Sequence, residues 1–263
     1  ANATIKVLFQ DLKNDFQPKS LSNYILVRVG DYLREGTSAA RQAVPYYEEA
    51  IGREDQSYRF PALFGLADIY GDSSDRTEND KAIEILKRIY ADAQEKKQKE
   101  KALYRIVTIL ANKAEWSKVS ERAKEYLDRE KGYRSFSPEV SFLFARSYDE
   151  RAMTEDAIKA YMNVWAAYAG FMEISIPSVT RVMELTWKRD KPAAPPKKAD
   201  RQIAYEFGWK FVDSVKRGNA YKMMKPEERN MFDELEALVQ RFEDDPGVMK
   251  MSEVKKRERE ARG

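Results

Sequence analysis

Asp149 and Glu150 stand side by side in the stretch SYDERAM, and two carboxylates are the smallest set of side chains with which a protein can hydrolyse a glycosidic bond. Adjacent carboxylates on a charged helix are normally solvated, so a carboxylate-based hydrolase is the third of three readings carried here. The acidic stretch DSSDRTEND, residues 72–80, could offer oxygen ligands to calcium. It lacks the central glycine and the terminal glutamate of an EF-hand loop, and reads as a surface turn.

The remaining chemistry is bounded by what the chain omits. It has no histidine, hence no usual general base, no Ser-His-Asp triad and no imidazole metal ligand. It has no cysteine, which removes disulfides, thiolate zinc sites and cysteine nucleophiles. No Gly-rich phosphate loop and no GxSxG elbow occurs. The expectation is a non-enzyme without catalytic residues, metal or cofactor.

Bulk electrostatics points to no polyanion: 47 basic residues stand against 44 acidic ones, a net charge of +3 over 263 residues. The longest apolar run, residues 164–172, falls well short of the roughly 20 needed to span a bilayer. The sequence starts Ala-Asn-Ala, which suits a mature end left by signal peptidase, so a secreted or periplasmic bacterial protein is expected in preference to a cytoplasmic one.

Functional side chains must be carried by something, and the carrier is a repeat. Ser141, Phe144, Ala145 and Tyr148 follow i, i+3, i+4, i+7 spacing, and Ala157, Tyr161 and Val164 mark the buried face of a second helix after a short turn. The same template lies upstream as Leu103, Ile106, Val107 and Leu110 with Val119, Ala123 and Tyr126. Earlier copies are Leu63, Leu66, Ala67 and Tyr70 with Ala82, Leu86 and Ile89, and Leu26, Val29, Gly30 and Leu33 with Ala43, Tyr47 and Ala50. The second-helix positions Ala43, Ala82, Val119 and Ala157 are spaced by 39, 37 and 38 residues.

A fifth first helix fits Val179, Val182, Met183 and Thr186. Its partner, with Ala204, Gly208 and Phe211, is delayed by the Pro- and Lys-rich segment KRDKPAAPPKKAD. A further helix from Pro226 to about Phe242, with Met231, Leu235, Leu238, Val239 and Phe242 on one face, is expected to cover the end of the stack. Ser137 before Pro138 reads as a helix start, and TEND at residues 77–80 as a capping box. The expected organisation is an N-terminal extension or short helix over 1–19, helical hairpins over 20–190, a linker over 191–200, and closing helices over 201–245. A charged tail, helical or disordered, follows over 246–263.

The hairpins resemble the tetratricopeptide repeat family, most strongly at FARSYDERAMTEDAIKAYMNV and VRVGDYLREGTSAARQAVPYYEEAI. The steps exceed the family's usual length of about 34 residues, only the first copy has the early glycine, and the terminal prolines are missing. The resemblance implies an all-α, right-handed α-solenoid of about five helix-turn-helix repeats with a C-terminal capping helix. It also implies a concave groove on which Val27, Phe64, Tyr104, Phe142 and Thr180 stand one above another. These rings either anchor a partner's apolar side chains or pack between neighbouring hairpins.

Four residues on come Asp31, Asp68, Thr108 and Arg146, and then Arg34, Glu35, Asp72, Asp149 and Glu150. The groove leans acidic, so a basic, or neutral and aromatic, peptide or helix of a partner protein is the expected ligand. The second reading is an anionic polymer or surface held by Lys188, Arg189, Lys191, Lys197, Lys198 and Arg201 of the linker. Nucleic acid is not expected, since no aromatic or Gly-rich pattern accompanies that charge. Around Trp209 the apolar groups Ile203, Tyr205, Phe207, Phe211 and Val212 spread over more than one helix face, which calls for cover on two sides and makes a homodimer contact possible.

Overall fold

The computed structural model describes residues 11, 16–35, 40–128, 135–192 and 198–260. Most of the expected N-terminal extension and the centre of the linker, with Lys197, lie outside the described residues. Among those described, every regular element is helical. The chain forms two compact units, residues 1–118 with 125–136 and residues 119–124 with 137–263.

The first unit contains α1 (Asn23–Glu35), α2 (Val44–Gly52), α3 (Arg59–Gly71), α4 (Arg76–Asp92) and α5 (Lys96–Asn112), and shares α6 (Trp116–Asp128) with the second. Its packing code is aromatic against glycine. The Tyr47 ring of α2 is wholly buried between α1 and α3. A Cβ on Gly30 or on Gly65 would lie 2.6 Å from Tyr47 Cε1, so only glycine admits the ring on both sides.

In the third hairpin Ala123 stands at the position of Tyr47, and the tyrosine next on that face, Tyr126, donates from its hydroxyl to the buried Glu100 carboxylate at 2.6 Å. Glu100 also accepts from Ser135 N at 2.6 Å, and the Phe136 amide donates to Tyr126 Oη at 3.1 Å. One carboxylate thereby ties the chain leaving α6 to the start of α5. Glu100→Ala is expected to cost the first unit about 1–3 kcal/mol, because Tyr126 and the Ser135 amide lose their acceptor inside the protein. Urea unfolding of the variant checks this.

The second unit contains α7 (Ser137–Asp149), α8 (Thr154–Ala167), α9 (Met172–Arg189), α10 (Asp200–Arg217), α11 (Ala220–Met223), α12 (Pro226–Glu243) and α13 (Met251–Glu260). Ala145, Ala157, Tyr161 and Val164 are all buried, as their spacing predicts. Three first helices end alike: Ala114, Ala152 and Asp190, 38 residues apart, have φ of 56°, 57° and 48°. In the first two, the next amide reaches back to Leu110 O and Tyr148 O at 2.9 Å, a left-handed helix stop that suits glycine best. Ala114→Gly and Ala152→Gly should each raise stability by about 0.5–1 kcal/mol in thermal unfolding.

Two local expectations are corrected. The cap of α4 is Asp75, whose carboxylate accepts from Thr77 N at 2.8 Å. Thr77 is already helical, and Asn79 instead ties the preceding turn through Tyr70 O, Gly71 O and Ser73 O. The charged tail carries a docked helix: Val248, Met251 and Val254 are buried with Tyr205, and the Met251 amide donates to Tyr205 Oη. Gln202 pairs with both the amide and the carbonyl of Met249, so apolar residues at three-residue spacing outweigh the surrounding charge.

The delayed fifth hairpin closes through Asp200. This buried carboxylate takes a two-pronged bond from Arg189, at 2.6 and 2.7 Å, and accepts from Lys191 N at 2.9 Å. The Arg189 bonds hold Asp200 below the ordinary carboxylate range. A depressed folded-state pKa stabilises above the unfolded value and loses that contribution as pH falls through the folded one. Asp200→Asn should therefore cost about 1.5–3 kcal/mol at neutral pH, with the gap to the natural protein narrowing below pH about 4. Thermal unfolding against pH reads both.

Candidate functional site

Each unit carries a concavity on its first helices. In the first unit a pocket of about 380 Å³ is lined by Asp31, Arg34, Phe64 and Asp68 together with Lys97 and Lys101 of α5. Phe64 is buried, with Lys101 Nζ 4.4 Å from its ring centre. Val27 lies inside the core. Tyr104 is half-buried and stacks on Phe136 at 4.2 Å, and the Thr108 hydroxyl donates to Tyr104 O. The pocket's lining includes neither Tyr104 nor Thr108.

The acidic lean read from the sequence is cancelled by arginines of the same faces. Asp68 receives Arg34 at 2.9 Å and Arg105 at 2.7 Å, and Arg105 lies 3.4 Å from Asp72. Asp31 accepts from the Tyr47 hydroxyl at 2.8 Å. Burial, followed by the Asp31 charge, pushes that hydroxyl above the ordinary tyrosine range, so it stays protonated and donates to Asp31.

In the second unit a larger cleft, about 910 Å³, brings together Phe142, Arg146 and Asp149 of α7, Thr180 and Arg181 of α9, and the inner face of α12. Asp149 again sits on a tyrosine and an arginine: Tyr161 Oη lies at 3.4 Å and Arg181 binds it through two nitrogens at 2.8 and 2.9 Å. Burial and then Asp149 raise the Tyr161 hydroxyl in the same sense as Tyr47. Held this way, Asp149 is a structural anion, and its neighbour Glu150 accepts from Arg146 at 3.1 Å.

Arg105 and Arg181 were not singled out in the sequence. Their signal was present, since each directly follows a strip position, Tyr104 or Thr180, and they stand two repeats apart.

The far wall of the cleft was also missed, because α12 does more than close an end. Lys225, just before α12, lies 3.5 Å from Glu173 in the first turn of α9, and Phe242 in its last turn stacks at 3.7 Å on Trp187 in the last turn of α9. The two helices run parallel, and Met231, Leu235 and Leu238 line the cleft opposite Phe142.

Solved structures decide the fold type. The crystal structure of the MamA protein superposes with a TM-score of 0.56 at 15% identity, over 77% of this chain and 97% of that one. YrrB, described as a TPR protein with an unusual peptide-binding site, superposes with a TM-score of 0.50 at 12% identity, over 78% of this chain and 91% of that one. The fold is a tetratricopeptide-like helical repeat. No protein-family model matches the chain, and no curated protein does.

Two other surfaces of the tetratricopeptide-like chain were candidates. Around the linker, Arg189 faces Asp200 and Glu155, Lys191 faces Glu155, Lys198 faces Glu206, and Arg201 faces Asp190 and Asp245. These basic groups hold the hairpin shut, which reduces their pull on a polyanion. At α10, Phe207 packs edge-on to Trp165 at 5.0 Å, and Lys255 Nζ of α13 lies 4.2 Å from the Trp209 ring centre. Part of the face that could have served a dimer is thus occupied by the chain's own tail.

Proposed function

We propose that this protein is a non-catalytic interaction scaffold that holds a peptide or helix of a partner protein in the cleft of its second unit. The observation that carries the reading is the cleft itself. Half-buried Phe142, Pro177, Thr180 and Met231 stand around a floor of Ile176 and Leu235, with charged groups at the rim. A few apolar anchors inside a polar rim is how protein surfaces concentrate binding energy. The fold shared with a peptide-binding TPR protein supports the same reading. Because the walls are helices already packed into the unit, binding orders the partner more than the scaffold.

The test is capture from the source organism's lysate at low and high salt, comparing the natural chain with Phe142→Ala/Met231→Ala. A partner kept by the natural chain at high salt and lost by the double variant is expected. Partners retained equally by both would remove the cleft from the account.

A further inference from the structure

The cleft of the second unit carries a charge pattern that selects its ligand. Its charged lining falls into two sets. Most members neutralise each other: Asp149 with Arg181, Arg181 with Glu184 at 2.5 Å, and Arg146 with Glu150. Glu234 and Arg241 of α12 are exposed, line the cleft, and have no hydrogen-bond or ion-pair partner among the described residues. They are of opposite sign and seven residues apart, about 10 Å along a helix. Leu235 and Leu238 lie between them on the same wall.

The parallel course of α9 and α12 gives the cleft a direction. Its apolar part, Phe142, Ile176, Pro177 and Met231, lies toward the earlier turns of α9 and α12. The Arg146, Arg181 and Arg241 part lies toward the later turns. Along α12 the order is Met231, Glu234, Arg241, so an occupant that buries an apolar side chain against Phe142 and Met231 meets the unpaired carboxylate first and the unpaired guanidinium beyond it. Opposite charges at those two places gain attraction, whereas like charges would meet repulsion with no counter-ion supplied by the protein.

We propose that the second-unit cleft takes an extended peptide in which an apolar anchor is followed along the cleft by one basic and then one acidic side chain. In an extended strand, about 10 Å corresponds to three residues. The basic group faces Glu234 and the acidic group Arg241. This deepens the scaffold reading and rests on it. It departs from the partner charge expected from the sequence, because Asp68 and Asp72 pair with Arg105 and Asp149 with Arg181.

The experiment is selection of a displayed random dodecapeptide library on the full-length protein, with Phe142→Ala/Met231→Ala, Glu234→Lys and Arg241→Glu run in parallel. On the natural chain, peptides with opposite charges three apart on one side of an apolar residue, the basic one nearer to it, should be enriched about fivefold or more over like-charged ones. Glu234→Lys should shift the preference to two acidic residues, and Arg241→Glu to two basic ones. Peptides that require Phe142 and Met231 but show no charge pattern, or whose pattern ignores both charge reversals, overturn this inference alone. If no enriched peptide depends on Phe142 and Met231, the scaffold reading of the cleft falls with it.

Discussion

Tyr47→Ala is expected to destabilise the first unit by about 3–5 kcal/mol, the range for removing a fully buried aromatic side chain. The ring is wholly buried, fills the space over Gly30 and Gly65, and anchors its hydroxyl on Asp31. The hydroxyl alone is worth less, so Tyr47→Phe should cost about 1 kcal/mol. The complementary change, Gly65→Ala, forces a methyl group into the ring. It should cost about 1–3 kcal/mol, although alanine is the better helix former. Gly52→Ala is the control, since a Cβ there meets nothing within 4 Å, and it should be neutral or slightly stabilising. Urea unfolding, with amide exchange read over α1, α2 and α3, ranks the four variants. Gly65→Ala as stable as the natural chain would refute the packing code.

Phe232→Ala should be the most damaging change in the second unit, at about 3–5 kcal/mol. Phe232 is fully buried and meets Phe211 and Tyr221 at ring-centre distances of 6.5 and 5.3 Å. It fixes α12 to the rest of the unit, so its loss should remove binding together with stability. Met231, one residue earlier, is half-buried on the cleft wall. Met231→Ala should cost under about 1 kcal/mol of stability yet weaken a bound peptide by tenfold or more, the mark of an interface anchor at about 1.4 kcal/mol. Chemical denaturation and peptide affinity on the two variants separate support of the wall from contact with the ligand.

These neighbours show where periodicity informs and where it stops. Met231 fits the i, i+4, i+7 face that includes Leu235, Leu238 and Phe242, and the sequence reading took that face as buried. In the structure the face is split, with Leu235, Leu238 and Phe242 buried and Met231 only half-buried, while Phe232 one step round is the deepest. A helix packed on two sides has no single apolar stripe, and spacing does not tell which edge of a broad stripe is covered.

The hairpins were legible because Ala, Gly and Tyr recur at nearly constant steps, a pattern imposed by close helix contact rather than by chemistry. Side-chain pairing was not legible in the same way. Asp68 and Asp149 read as an acidic surface when each helix was taken alone, and only packing neighbouring helices together puts Arg34, Arg105 and Arg181 beside them. The tail likewise read as charge, although three apolar residues, Val248, Met251 and Val254, are enough to dock it against Tyr205.

Site-specific photocross-linking from position 231, with the fully exposed Met223 as control, tests the central claim most directly. With a cross-linking amino acid incorporated at either position in the source cells, position 231 should trap a discrete protein, and Phe142→Ala should abolish that adduct. Met223 should give only diffuse background. The same adduct from both positions, or one from position 231 that survives Phe142→Ala, would contradict a partner segment seated in the cleft between α7, α9 and α12.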